Sequence, residues 1–553
     1  MKSRLNALIT GPPGRVIRVN HCRSATNMVW QMISASHQAR RLPGYGINEM
    51  NTHHADMWDV IIVGSGGSGL AAGVSCVDRG LKVLLLEKQP QPGGTTGIAV
   101  GSFTASGTQY QRQNDIDDNS RDHNEDAGKF AQPEVEAAGN YELREFMLSH
   151  AADTLDWLEK MGLRFHGPSP EPPNRVPRMH NVVPNAKAYI SALQMRFIRH
   201  GGHLITNATV EGMLRTNGRV TGVTVDVNGI KRVETSTRGV VLAAGDYANN
   251  AQMIAEHKGD AFAAVEGINP NATGDGHRLA SSVGGKLKNM SITYGPELRF
   301  VPPPGNQFSQ LLPSSGLVSR LMGTLLPMVP KFLINTLIKR LLVTWQHPED
   351  SLLDDGAILI NKHGRRFCNE LACPEREIAV ANQPDKVAYI LLDETLIERY
   401  SEWPHFISTA PEIAYAYIDD YLRLRPDVAI ETDSLERLAT RRNLSPEDLA
   451  ATVAGTKEVN NIPALKRSLH GHRWVLLGPL KSYFTTTEGG ASIDTSFRVL
   501  DENGTVIDGL YAIGQNGLGG QILWGHGLHI AWAITSGRLV GQVLAEEKHS
   551  DCS

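Results

Sequence analysis

An α/β fold built on a Rossmann-like parallel sheet is predicted by three observations. A short apolar run is followed at once by a glycine-rich turn and a helix. A second apolar run ends in an acidic residue 23 positions after the first glycine of that turn. Glycine makes up 54 of the 553 residues, about a tenth against a usual share of roughly 7%. A chain of this length can bury a large core and hold more than one domain.

The first run is Asp59-Val-Ile-Ile-Val63, continuously apolar as expected of a strand covered on both faces of a parallel sheet. Gly64-Ser-Gly66-Gly67-Ser68-Gly69 follows, and Leu70 to Val77 reads as a helix that ends before Gly80. In this strand-turn-helix setting Gly64 permits the tight turn, and Gly66, with Gly67 and Ser68, lets backbone approach a pyrophosphate. Gly69 lets helix and strand pack closely, and the helix N-terminus offers N–H groups and the positive end of its dipole. Leu81 to Leu86 is the second strand, and Glu87 stands where a carboxylate accepts from both hydroxyls of an adenosine ribose. A 2′-phosphate would be repelled there, which leaves FAD or NAD and excludes NADP.

A further glycine turn, Lys88-Gln-Pro-Gln-Pro-Gly93-Gly94-Thr95-Thr96, separates those two. NAD folds need nothing there, whereas FAD is longer and runs along the chain that follows. Val240-Val-Leu-Ala-Ala244-Gly245-Asp246 and Gly509 to Gly520 supply more small residues for a long cofactor, and no second GxGxxG in a strand-to-helix setting suggests a built-in NAD(P)H domain.

The charge balance is 54 Lys+Arg against 58 Asp+Glu, a net −4, so no basic field draws nucleic acid. The cysteines, Cys22, Cys76, Cys368, Cys373 and Cys552, lack CxxC spacing, which argues against a disulfide framework or a zinc site and for a reducing, cytoplasmic setting. No metal site is expected. Residues 1–57 read as a disordered extension: up to Glu49 the only acid is Glu49 itself, against Lys2, Arg4, Arg15, Arg18, Arg23, Arg40 and Arg41. No apolar run there serves as a signal-peptide core. An organelle transit segment is one reading of it, and an extension upstream of a start near Met50 or Met57 is the favoured one.

From Trp58 to Ala545 the chain resembles the FAD-dependent fumarate reductase/succinate dehydrogenase flavoprotein superfamily, including its 3-ketosteroid dehydrogenase branch. The resemblance rests on Asp156 to Leu163, Gly218 to Val223, Thr273-Gly-Asp275-Gly276, Gly356 to Asn361 with Gly364 to Phe367, Asn369-Glu370 and Glu488-Gly489-Gly490, besides the turns above. It implies an FAD-binding domain assembled from 58–292 and 475–547, with an α+β cap or substrate domain, 293–474, inserted. Two late cap helices are legible on their own, after Asp433-Ser434 and after Ser445-Pro446. By the same resemblance Gly64, Gly66, Gly69, Glu87, Gly93, Gly94, Thr96, Ala244, Gly245, Asp275 and Gly514 fall on cofactor-contacting positions. Gly67, Ser68, Lys88, Thr95, Gln515, Gly519 and Gly520 are counted with them. Gln515 replaces a common acid, and Asp246 a common glycine. No histidine stands in the Gly93 to Thr96 turn where flavin-linking members carry one, so the FAD is expected to be noncovalent.

The chemistry implied is oxidation or reduction of a carbon–carbon bond beside a carbonyl. A fumarate reductase needs cations to clamp two carboxylates and an Arg acid, and the matching positions here hold Pro374, Thr486 and, approximately, His526. Arg376 lies two residues from the acid position and is the candidate to replace it. The ketosteroid branch uses tyrosines, and Gly478-Pro-Leu-Lys-Ser-Tyr483 resembles its motif with the tyrosine displaced. Tyr483, His526 and Arg376 are therefore the catalytic candidates, with His529, His347 and Glu370 as weaker ones. Each has a bland alternative: Tyr483 a core residue donating to backbone, the histidines structural, Glu370 a cap contact.

Between Glu297 and Glu349 there is no acid, and 311–344 mixes Leu, Met, Val, Ile and Phe with Arg320, Lys331, Lys339 and Arg340. Charges and prolines break the apolar run well short of the roughly 20 residues that span a bilayer. Cationic helices lying in a membrane interface fit it, and so do helices packed into the cap. Interface contact would suit a hydrophobic, 3-ketosteroid-like substrate; a small unsaturated carboxylic acid is the alternative, and a separate electron donor or acceptor is required in either case.

Overall fold

The apolar run at the start of the sheet becomes the strand Trp58–Val63, with Val60, Ile61 and Ile62 fully buried. In this computed structural model the described residues are 57–303, 339, 342–344, 347–410, 414–455 and 462–546; those from Met57 onward belong to one compact unit. The 1–57 extension, Met57 apart, and nearly all of 311–344 lie outside them.

Trp58–Val63 pairs in parallel with Val83–Leu86 on one side and with Ile230–Leu242 on the other. His203–Ile205 extends the sheet beyond Val83–Leu86, and Val506–Ala512 extends it beyond Ile230–Leu242. The two ends of the chain therefore meet in one sheet, as expected of the α/β fold. The second strand is shorter than the sequence suggests, because the Lys82 backbone N–H is turned aside to donate to Asp59 Oδ2 at 2.7 Å. The helix Gly67–Val77 is buried along its whole length. It packs against the last helix, Leu528–Glu546, where a Cβ on Gly537 would strike the Ser68 carbonyl and one on Gly541 the Ser75 side chain.

A second sheet is organised on the long strand Trp474–Phe484, which pairs antiparallel with Ala388–Asp393, Ala429–Thr432 and Glu297–Phe300 and in parallel with Glu266–Gly267. It has its own core, including Phe300, Ile390, Tyr421 and Leu477. The expected domain boundary at 475 falls inside this strand, whose pairing with the second sheet continues to Phe484. The cap helices form as Leu435–Arg442 and Pro446–Ala454, capped by the Ser434 and Ser445 hydroxyls. At the described end of the cationic segment, Leu342 and Val343 are buried in this second core, and the Lys339 ammonium donates to Asp420 Oδ2 at 2.9 Å. Among the described residues no helix is long and apolar enough to cross a membrane.

The chain crosses from one sheet to the other through short pairings, Thr486–Thr487 with Thr293–Tyr294 and Gly490–Ala491 with Leu287–Lys288. This junction, with the loop that leads into the last helix, positions the site.

Candidate active site

At the parallel-sheet end the two predicted glycine turns lie against each other. The Gly93 N–H donates to the Ser65 carbonyl at 3.1 Å, and a Cβ on Gly67 would fall 2.6 Å from Thr96 Oγ1. A Cβ on Gly69 would coincide with the Gly64 carbonyl oxygen, so that glycine is required by packing. Gly66 and Gly245 differ: nothing stands within 3.8 Å of a Cβ at the first, nor within 4 Å at the second, which has a φ of +80°. Backbone is thus left bare beside open space. The first turn of the Gly67–Val77 helix holds neither a side-chain cap nor an acid, and its positive end is available to phosphate. These residues fit an extended dinucleotide.

Glu87 is 7% exposed, and its carboxylate already accepts from the Ser65 N–H, the Ser65 hydroxyl and the Gln89 N–H at 2.9, 2.7 and 2.8 Å. A carboxylate has about four acceptor sites, so one is left for ribose, where both hydroxyls were expected. The Lys88 ammonium donates to the Asn271 carbonyl, Thr273 Oγ1 and Asp275 Oδ2. Burial opposes the charge of Asp275, but the bond and charge of Lys88, with the Arg278 charge and the Thr273 hydroxyl, together hold the carboxyl below its ordinary value. The side chains of Lys88 and Asp275 therefore clamp two cofactor-side segments together. Thr95 accepts from Asn269 at 2.9 Å.

Asn516, absent from the sequence reading, joins the later glycine segments. Its Oδ1 accepts from the Ala244 N–H at 2.7 Å, and its Nδ2 reaches His277 Nδ1 at 3.2 Å. His277 Nε2 then donates to the Gly489 carbonyl at 2.9 Å; burial pushes this histidine down to about 4 and keeps it neutral. The last helix holds Gly514 through Ser536 and Trp532. Gln515 donates to Thr486 Oγ1 and the Thr487 carbonyl, and its Oε1 is buried without a partner. Asn140 and Asn289 hold the Gly519 and Gly520 carbonyls.

The three catalytic candidates are not brought together: among the described residues no hydrogen bond or ion pair links Tyr483, Arg376 and His526. Tyr483 sits on the long central strand opposite Glu266 and Glu297. Burial, with the Glu266 charge added, pushes its hydroxyl up to about 12, so the phenolate expected of a base is disfavoured. Arg376 is 7% exposed, bonded to Glu377, Asp350 and the Glu370 carbonyl within the cap. Glu370 is itself paired with Arg366 and the Leu359 N–H.

His526 is held from three directions. Its backbone N–H donates to Glu171 Oε1 at 3.0 Å, its carbonyl accepts from Thr104 at 2.6 Å, and its Nδ1–H donates to Glu171 Oε1 at 2.5 Å. Glu171 is 7% exposed, and its Oε2 is buried without a partner. The bond from Glu171 raises the His526 pKa; burial opposes it, the Glu171 and Glu297 charges add to it, and Arg299 counters. The ring is 61% accessible. Around it stand the Glu297–Arg299 pair at 2.7 Å, the tilted Tyr294–Trp524 ring pair with centroids 5.6 Å apart, and His347, which burial holds below its ordinary value. Three residues on, His529 bonds the fully buried Glu488 at 2.8 Å. Burial counts against the charge of Glu297, yet Arg299, His347 and His526 together keep its pKa low. Glu171, Glu297 and Arg299 escaped the sequence reading. Glu171 lies in a proline-rich loop without a pattern, while Glu488 is adjacent to the Gly489-Gly490 landmark and could have been found.

The FAD binding domain family model matches residues 59–521. The fumarate reductase (cytochrome) of Shewanella frigidimarina is 27% identical over 506 residues, covering 89% of this chain and 77% of that protein. The open conformation of a flavocytochrome c3 fumarate reductase superposes with a TM-score of 0.65 at 22% identity, covering 94% of this chain and 81% of that one. A 3-ketosteroid delta1-dehydrogenase from Sterolibacterium denitrificans does so with a TM-score of 0.59 at 18% identity, covering 89% and 100%. With the glycine turns and the bare backbone beside them, these matches show that the chain belongs to the FAD binding domain family, within the fumarate reductase/succinate dehydrogenase flavoprotein superfamily, and is an FAD-dependent oxidoreductase acting on CH–CH groups.

Proposed function

We propose that the protein reduces or dehydrogenates the carbon–carbon bond next to the carbonyl of an uncharged, hydrophobic molecule, a 3-ketosteroid-like compound being the model. One observation supports the reading over a carboxylate substrate: the basic side chains around His526 already face acids. Arg299 is paired with Glu297, and His526 and His529 with Glu171 and Glu488, while burial holds the nearby His347 down. A carboxylate entering this cluster would lose water and meet basic side chains that already have acidic partners among the described residues. The alternative, a small unsaturated acid, is favoured by relatives named fumarate reductase, NADH:acrylate oxidoreductase and urocanate reductase.

The bound flavin supplies the hydride transfer. The bare backbone at Gly66 and Gly245 and the helix N-terminus would hold its phosphates, Glu87 its ribose, and Gln515 and the Gly519-Gly520 region its far end, without a covalent link. Turnover needs a separate electron donor or acceptor. The test is anaerobic: dithionite-reduced enzyme is mixed with 2-cyclohexenone, 4-androstene-3,17-dione or fumarate, and the return of oxidised-flavin absorbance is followed. Reoxidation by a neutral enone at least tenfold faster than by fumarate supports the reading, and the reverse order replaces it with the acid reading.

A further inference from the structure

We propose that His526 delivers the proton to substrate carbon through Nε2, with Glu171 as its positioning residue. This rests on the reading above that a C=C bond beside a carbonyl is the reacting group.

The geometry commits every polar atom of His526 except one. Nδ1–H and the backbone N–H both point at Glu171 Oε1, and the carbonyl is fixed by Thr104. An ionised carboxylate only accepts, so Nδ1 carries its hydrogen in either protonation state and proton exchange is confined to Nε2. Among the described residues no hydrogen bond engages Nε2, and the ring is 61% accessible. The charged groups facing the ring are Glu171, Glu297, Arg299 and His347. Two carboxylates outweigh one guanidinium, and burial keeps His347 low, so the surroundings shift His526 toward imidazolium relative to a free histidine.

The step balances. The C=C π pair forms one new C–H bond with the Nε2 proton, and a hydride delivered to the other carbon forms the second. The substrate gains two electrons, from the reduced flavin and ultimately from the separate donor. His526 becomes neutral imidazole and regains its proton from solvent through its accessible edge. Dehydrogenation runs the same path backwards and needs Nε2 without its proton, so a raised His526 pKa works in favour of the reductive direction.

The experiment uses the FAD-loaded full chain. Histidine ¹⁵N NMR follows the titration of His526, assigned by its loss in His526→Gln, and reoxidation of dithionite-reduced enzyme by the enone that turns over is measured from about pH 5.5 to about 9.5, a range that brackets the histidine. The expected result is a His526 titration above the ordinary value of about 6.5, with the reductive rate falling through the same midpoint. In Glu171→Gln both midpoints move down together by about one unit or more. His526→Gln retains flavin absorbance and loses about 10²–10⁴-fold in rate. A purely structural histidine would leave the pH profile in place when Glu171 is changed. Retention of more than a third of the rate in His526→Gln, or a pH profile unmoved in Glu171→Gln, overturns the proposal while the functional reading stands. If no compound of the panel reoxidises the wild-type flavin, the functional reading falls and the proposal with it.

Discussion

Around the first glycine turn the partners are close in sequence and meet through backbone: Glu87 reaches Ser65 across 22 positions, and the Gly93 N–H meets the Ser65 carbonyl. Around His526 they come from afar and meet through charged ends. Glu171 lies 355 positions away, and Glu297, Arg299 and His347 arrive on or beside the second sheet. The first region is specified by where a side chain is missing, the second by which charges are paired. Substitutions should accordingly separate binding of the cofactor from chemistry on the substrate.

The largest effect is expected at Gly69→Val, whose side chain would occupy the Gly64 carbonyl. Purified protein should carry under a tenth of the wild-type flavin, read from the visible flavin band against protein absorbance, and normal loading would mean that the turn relaxes. Next comes acid. His277 is neutral when folded, at about 4, and takes up a proton when unfolded near 6.5. Stability conferred by keeping it neutral is full above about pH 6.5 and is lost as pH falls toward 4, by about 3 kcal/mol. Thermal melts of His277→Gln should lack that acid sensitivity. Asn516→Ala removes the bond to the Ala244 N–H and should weaken FAD by about tenfold, near 1.4 kcal/mol, with kcat unchanged at saturating flavin. Ser434→Ala, a helix cap remote from both regions, should cost about 1 kcal/mol in chemical denaturation and leave flavin content and turnover alone.

The difference between the regions also explains what can be read from sequence. Gly64, Gly66, Gly69 and Glu87 follow a spacing set by one strand, one turn and one helix, and Ser434 and Ser445 announce their helices locally. Tyr483 and Arg376 follow only from distance along the chain to landmarks, and the pairing of Trp474–Phe484 sends them to separate surroundings. Glu171 has no local signal, because its role exists only once the loop before the last helix folds back onto it. Lys88 and Asp275 are legible as positions but not as an ion pair, since a salt bridge across 187 residues leaves no periodicity.

The glycines that let the last helix lie against the first have a consequence for how this enzyme can be rebuilt. Gly537 and Gly541 bring backbone onto Ser68 and Ser75, and the same helix begins just after His526 and anchors Gly514. Chimaeras between relatives that exchange one terminus alone would break this contact and shift the phosphate turn and the histidine together. The two termini must be inherited as a pair, and with them the strand of the second sheet that brings Glu297 and Arg299 to the histidine.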